Sequence, residues 1–69
     1  MVLFGERLES LVRSCGKLQK DVELELGIKQ RQLNRYYHGE QEPSFTKLTE
    51  ICRYFGVSAD YLLGLTDER

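Results

Sequence analysis

The chain reads as a single all-α domain, and three observations carry that reading. Phe4, Leu8, Leu11, Val12 and Cys15 recur at i, i+4, i+7, i+8 and i+11, the stripe of a helix with one buried face. Glycines at 16, 27, 39 and 56 follow the last apolar residue of successive periodic segments, where helices commonly end in a left-handed residue. The chain has only 69 residues, too few for an isolated strand to find a partner, so short connections between helices are the economical way to close a core.

In order, the stripe predicts a first helix over Leu3 to Cys15, with Glu6, Arg7, Glu9 and Arg13 on its wet side and Gly16 as its stop. Gln19 to Leu26 is ambiguous, because Val22-Glu23-Leu24-Glu25-Leu26 alternates as a half-buried strand would. Leu18, Val22 and Leu26 nevertheless form a helical stripe that could pack on the first helix, which leaves Leu24 facing away. Gly27 ends this segment and Ile28 plugs the turn. Gln30 to His38 follows, with Leu33, Tyr36 and Tyr37 inward and Gly39 as its cap.

Pro43 prevents the third helix from continuing, and Ser44 is placed to cap a fourth over Phe45 to Phe55, with Leu48, Ile51, Cys52 and Phe55 inside. Ser58 repeats the device for a short helix Ala59 to Leu63, whose Asp60 suits the positive end of the helix dipole. Leu62, Leu63 and Leu65 form a cluster that serves either the core or a dimer surface. Thr66 to Arg69 is expected to fray. The expected core is Leu8, Leu11, Val22, Leu26, Ile28, Leu33, Tyr36, Leu48, Ile51 and Phe55.

Composition bounds the function. At 41% hydrophobic and 30% charged, the chain is an ordinary globular domain, without repeats, linkers or low-complexity stretches. It holds no apolar run of membrane-spanning length, and Met1 to Gly5 lacks the charged and apolar regions of a signal peptide. Cys15, Cys52 and the single His38 do not make a zinc set, so no metal and no cofactor is expected. Counting leaves a Cys15–Cys52 disulfide open, but both residues border apolar helix faces, where a reduced cysteine acts as a small hydrophobe. Reduced thiols imply the cytosol. No nucleophile and base stand at a spacing that would make His38 catalytic, so no enzyme is expected.

The charge is polarised. Residues 1–26 hold four basic and five acidic groups (4 − 5 = −1), residues 27–39 hold three basic and none acidic (+3), and residues 40–69 hold three basic and six acidic (3 − 6 = −3), which sums to the net −1. The positive segment coincides with the third helix. A helix, a glycine turn and a second helix over Gln19 to His38 form a helix-turn-helix, whose second helix can lie in the major groove of double-stranded DNA. The outward Gln30, Arg31, Asn34 and Arg35 have the bidentate geometry that reads guanine and adenine edges. A solvated helix face is the plainer alternative for the same four residues.

These residues carry a resemblance to the lambda repressor and Cro (XRE-type) family of five-helix DNA-binding domains. It rests on Phe4-Gly5-Glu6-Arg7-Leu8, Gln19, Leu26-Gly27-Ile28, Leu33, Arg35-Tyr36, Gly39, Glu42-Pro43-Ser44, Phe55-Gly56-Val57-Ser58 and Asp60-Tyr61-Leu62-Leu63-Gly64, and spans nearly the whole chain. The resemblance implies base contacts from Gln30, Arg31 and Arg35, with Asn34 as a fourth, and phosphate contacts from Gln19 and Lys29. The leading reading is a transcriptional regulator acting as a homodimer, with the leucine-rich end around Leu62, Leu63 and Leu65 as its contact. Three departures matter. Glu23 stands where the family has a small residue at a close helix crossing. Val12 and Tyr37 replace a family ion pair, which suggests an apolar contact in its place. Glu40 and Glu42 repel phosphate, and with Glu23 and the acidic pI of 5.8 they are the argument for a competing reading: an interaction module that kept the fold and lost DNA.

Overall fold

The computed structural model describes residues 3–69; Met1 and Val2, part of the start read above for leader character, lie outside them. Its elements are α1 (Phe4–Ser14), α2 (Gln19–Leu26), α3 (Gln30–Tyr37), α4 (Phe45–Phe55) and α5 (Ala59–Leu62), with no strand among the described residues. The alternating Val22 to Leu26 stretch is therefore helical, as a strand without a partner in so short a chain cannot be. Helix boundaries agree with the sequence reading to within a residue. His38 and Leu63 close α3 and α5 as C-caps instead of extending them.

Capping explains where α4 and α5 begin. The side chain of Ser44 accepts a hydrogen bond from the Lys47 amide at 3.1 Å, and that of Ser58 accepts from the Tyr61 amide at 3.0 Å. Each satisfies one of the amides that a helix start leaves unpaired.

The core gathers one face of every helix. Leu8, Val22, Leu33, Tyr36, Ile51 and Leu62 are essentially inaccessible, and Phe4, Leu11, Val12, Leu26, Ile28 and Val57 complete the buried cluster. Phe4 meets the Tyr36 ring edge-on at 5.8 Å, so the first residue of α1 is packed against the last turn of α3. Gly5 explains how these helices come so near. A Cβ at this position would stand 2.5 Å from the carbonyl oxygens of both Tyr36 and Tyr37. Only a residue without a side chain permits that crossing.

Several sequence expectations are corrected. Leu18, assigned to the inner stripe of the second helix, is 72% exposed because it is the N-cap of α2 in extended conformation and turns away from α1. Leu48 and Phe55 are half-buried and flank the core without closing into it, whereas Val12, Val57 and Leu62 are inside. The residues from Thr66 onward return to the body. Arg7, on α1, donates from Nη1 to the carbonyls of Tyr61 and Thr66, and from Nη2 to Asp67 at 2.7 Å. Its guanidinium also covers the Tyr61 ring at 4.3 Å, and the Ser58 amide donates to the Arg69 carbonyl. A guanidinium with fixed, divergent donors can hold three acceptors at once, and this one draws the last residues back to α1.

Candidate nucleic-acid interface

The site is built on the α2–α3 corner. Gly27 takes the left-handed conformation (φ 68°) and its amide, like that of Ile28, returns to the Glu23 carbonyl, which ends α2. Ile28 then drops into the core with 3% exposure and Lys29 runs extended into α3. Lys47 reinforces this corner from α4. Its ammonium donates to the Leu26 carbonyl at 2.7 Å and to Glu50 at 2.8 Å, so a cation sits on the negative end of α2. The sequence reading had no signal for that contact, which joins residues 21 positions apart.

Leu33 and Tyr36 bury the inner side of α3. Gln32 Nε2 donates to the Tyr36 hydroxyl at 3.0 Å, and burial raises that phenol above its ordinary range. The opposite side carries Gln30, Arg31, Asn34 and Arg35, all exposed and lining one open surface. His38 and Glu40 share it. The sequence reading set Glu40 against phosphate but left His38 out of the surface, although the signal was there. Residue 38 continues the row of residues 31 and 34, and the Glu40 amide folds back to the Arg35 carbonyl at 2.9 Å, which returns that carboxylate to the helix end.

The cations of this segment enter no ion pair among the described residues. Four ion pairs occur among the described residues, made by Arg7, Arg13, Lys17 and Lys47. None of them uses Lys29, Arg31 or Arg35. A guanidinium or ammonium left exposed beside others of its sign keeps its full field for an outside anion.

Gln19, at the start of α2, is half-buried and does not line that surface. Its Nε2 donates to Glu23 at 3.0 Å and its Oε1 accepts from the Tyr37 hydroxyl at 3.3 Å. Because a carboxylate only accepts, the amide nitrogen must face Glu23, and the Tyr37 hydroxyl must then donate. The Tyr37 phenol is pushed up to about 12, first by burial and then by the Glu9 carboxylate, which keeps it a donor. Glu23 is thus accommodated by running back along α2 to Gln19, and the helix crossing survives the larger residue. Val12 is 3% exposed, and Tyr37 packs on the cluster to which Val12 belongs. The replacement for the ion pair is more than apolar, since Tyr37 keeps a polar end and gives it to α2.

The leucines at the C-terminal end divide. Leu62 is fully buried and belongs to the core, so it cannot serve a dimer surface as the sequence reading allowed. The helical register of α5 sends it inward against α1 and α4. Leu63 is half-buried and Leu65 is 74% exposed. Cys15 and Cys52 are free thiols; Cys15 Sγ lies 3.2 Å from the Val12 carbonyl and burial pushes the Cys52 thiol up. Among the described residues no cluster of metal-ligating side chains occurs, and no helix is long and apolar enough to cross a membrane.

Comparison with known proteins agrees with this geometry. The family model described as Helix-turn-helix matches residues 8–62. The SPbeta prophage-derived HTH-type transcriptional regulator YonR of Bacillus subtilis (strain 168) is 38% identical over 61 residues, covering 88% of this chain and 56% of that protein. The HTH-type transcriptional regulator ImmR of the same organism is 32% identical over 60 residues, 87% of this chain and 47% of its own length. YobD, another HTH-type transcriptional regulator of that strain, is 29% identical over 66 residues, 96% of this chain and 59% of its own. The chain thus spans about half the length of the curated relatives it matches. With five helices, a glycine-hinged α2–α3 corner and a family match over residues 8–62, the chain belongs to the helix-turn-helix family of lambda repressor-like (XRE-type) domains.

Proposed function

We propose that this chain binds double-stranded DNA sequence-specifically as a two-fold homodimer and acts in the cytosol as a transcriptional repressor at a near-palindromic operator. The observation that carries the reading is the outer side of α3, where Arg31 and Arg35 stand exposed beside Gln30 and Asn34 and outside every ion pair among the described residues. Guanidinium and amide groups in that setting match base edges in the major groove, Arg toward guanine and Asn or Gln toward adenine. Lys29, at the entrance to α3, takes a phosphate, and Gln19, at the start of α2, takes another with the amide N–H that its bond to Glu23 leaves over, which sets the register. Leu63 and the exposed Leu65 supply the dimer contact, and two-fold symmetry places the half-sites about 34 Å apart.

Selection from a random duplex pool tests the reading, followed by binding of variants to the enriched and to random DNA. Arg31→Ala and Arg35→Ala each cost about 1–3 kcal/mol on the enriched duplex and much less on random DNA. Lys29→Ala weakens both alike and lowers the salt slope by about one unit. A pool that yields no enriched sequence, with arginine variants indistinguishable from the parent, returns the chain to the interaction-module reading that Glu40 and Glu42 favour.

A further inference from the structure

We infer that Tyr37 is a positioning residue for sequence discrimination: its hydroxyl, acting through Gln19, sets the rotation at which α3 presents Arg31 and Arg35 to the base edges. The inference rests on the DNA reading above and deepens it.

The other contacts that seat α3 fix its depth more closely than its rotation. Leu33 and Tyr36 are held by burial, which is strong but has no direction, and the turn over residues 27–29 ties only the start of the helix. The close approach at Gly5 sets how near α1 comes to the end of α3. A hydrogen bond adds direction. The Tyr37 hydroxyl supplies one, from the last residue of α3 to Gln19, the first residue of α2 and 18 positions earlier in the chain.

Gln19 can serve as a fixed point because it is braced from its other side. Glu23, one turn along α2, accepts from Nε2 at 3.0 Å, which turns Oε1 toward the hydroxyl at 3.3 Å. A carboxylate only accepts, so it excludes the flipped amide and leaves the bridge a single arrangement. Glu23 and Tyr37, which bracket Gln19, are both departures from the family pattern: one replaces a small residue and the other one half of an ion pair. The bridge is therefore built from this chain's own substitutions.

Helix geometry converts the bridge into an effect on reading. At about 100° per residue, Tyr37 stands about 200° around α3 from Arg35, so a rotation that moves one moves the other through the same angle on the far side. With side chains reaching about 5–6 Å from the axis, a turn of about 10° shifts the outer surface by about 1 Å. A bidentate base contact needs two hydrogen bonds of normal length at once, and a shift of that size takes one of them out of range. Lys29 tolerates the same shift, since its charge is a point on a flexible stem. Loosening the bridge thus costs discrimination and spares general affinity. One bidentate contact at the weak end of its range is worth about fivefold.

The test measures, by fluorescence anisotropy at one fixed salt concentration, the affinity of the full chain for the duplex enriched from the random pool and for a random duplex, and takes the ratio of the two. A partly unfolded variant loses the same factor on both duplexes, so a purely structural role does not move the ratio. Tyr37→Phe should lower the ratio about fivefold and bind the random duplex as the parent does. Gln19→Ala should lower the ratio as far and also weaken the random duplex, because it removes a phosphate contact as well. The double variant should have a ratio no lower than that of Gln19→Ala alone. A Tyr37→Phe chain that keeps the parent's ratio, or that is weaker on both duplexes by one factor, overturns the inference and leaves the DNA reading standing. Losses that multiply in the double variant also overturn it, because the two side chains then act separately. A pool that yields no enriched duplex removes the DNA reading and this inference together.

Discussion

Replacing Gly5 by alanine tests the central packing of the domain, because two physical effects act on it with opposite signs. Gly5 lies inside α1, where alanine is favoured over glycine by about 1 kcal/mol through backbone entropy alone. Against this, the added methyl would meet the carbonyl oxygens of Tyr36 and Tyr37 at 2.5 Å, nearly 1 Å inside ordinary contact. Both obstacles are backbone at the end of α3, so no side-chain rotation can relieve them. Overpacking of this kind costs about 1–3 kcal/mol, at the upper end where the neighbours are rigid. The net expectation is a loss of about 1–2 kcal/mol, or about 5–15 °C in Tm for a domain of this size. Urea unfolding followed by helical circular dichroism measures it, with an unchanged m-value showing that the folded state is still reached. Because α3 must shift to make room, DNA affinity should fall further than stability accounts for. A Gly5→Ala chain as stable as the parent, or more so, would refute the close α1–α3 crossing.

Other expectations follow from single contacts. Leu33→Ala, at a site with no exposure, should cost about 2–5 kcal/mol by the same unfolding assay. Tyr37→Phe removes only the hydroxyl that donates to Gln19 and should cost about 0.5–1.5 kcal/mol; in a Gln19→Ala background that cost should vanish, and an undiminished cost there would mean the two side chains do not act on one another. Glu25 is held below its ordinary value, first by Lys17 and then by Tyr54, while Lys17 is raised by the same carboxylate. A depressed carboxylate contributes stability above its unfolded value and loses it as pH falls through the folded one, so Glu25→Gln should flatten the acid limb of a stability-against-pH curve. An identical acid limb in parent and variant would show that the exposed Lys17–Glu25–Tyr54 cluster contributes nothing.

What the sequence determined by itself is the part of the fold that local physics encodes. Apolar spacing marked α1, α3 and α4, serines at 44 and 58 marked helix starts, and glycines at 27 and 56 marked helix ends, because each of these signals acts over a few residues. The outer row of Gln30, Arg31, Asn34 and Arg35 was legible for the same reason: helical phase alone puts it opposite Leu33 and Tyr36. The tertiary structure decided what depends on which elements meet. Phase could not tell that Leu18 caps a helix and faces water while Leu62 is swallowed by the core, since both are leucines at the ends of short helices and differ in what lies against them. Nor could it place Arg7 on Thr66 and Asp67, Lys47 on the Leu26 carbonyl, or Gln19 between Glu23 and Tyr37. Each of these contacts except the one between Gln19 and Glu23 joins residues 18 or more positions apart. Chain spacing carries no record of such a pair until the helices between them have been packed.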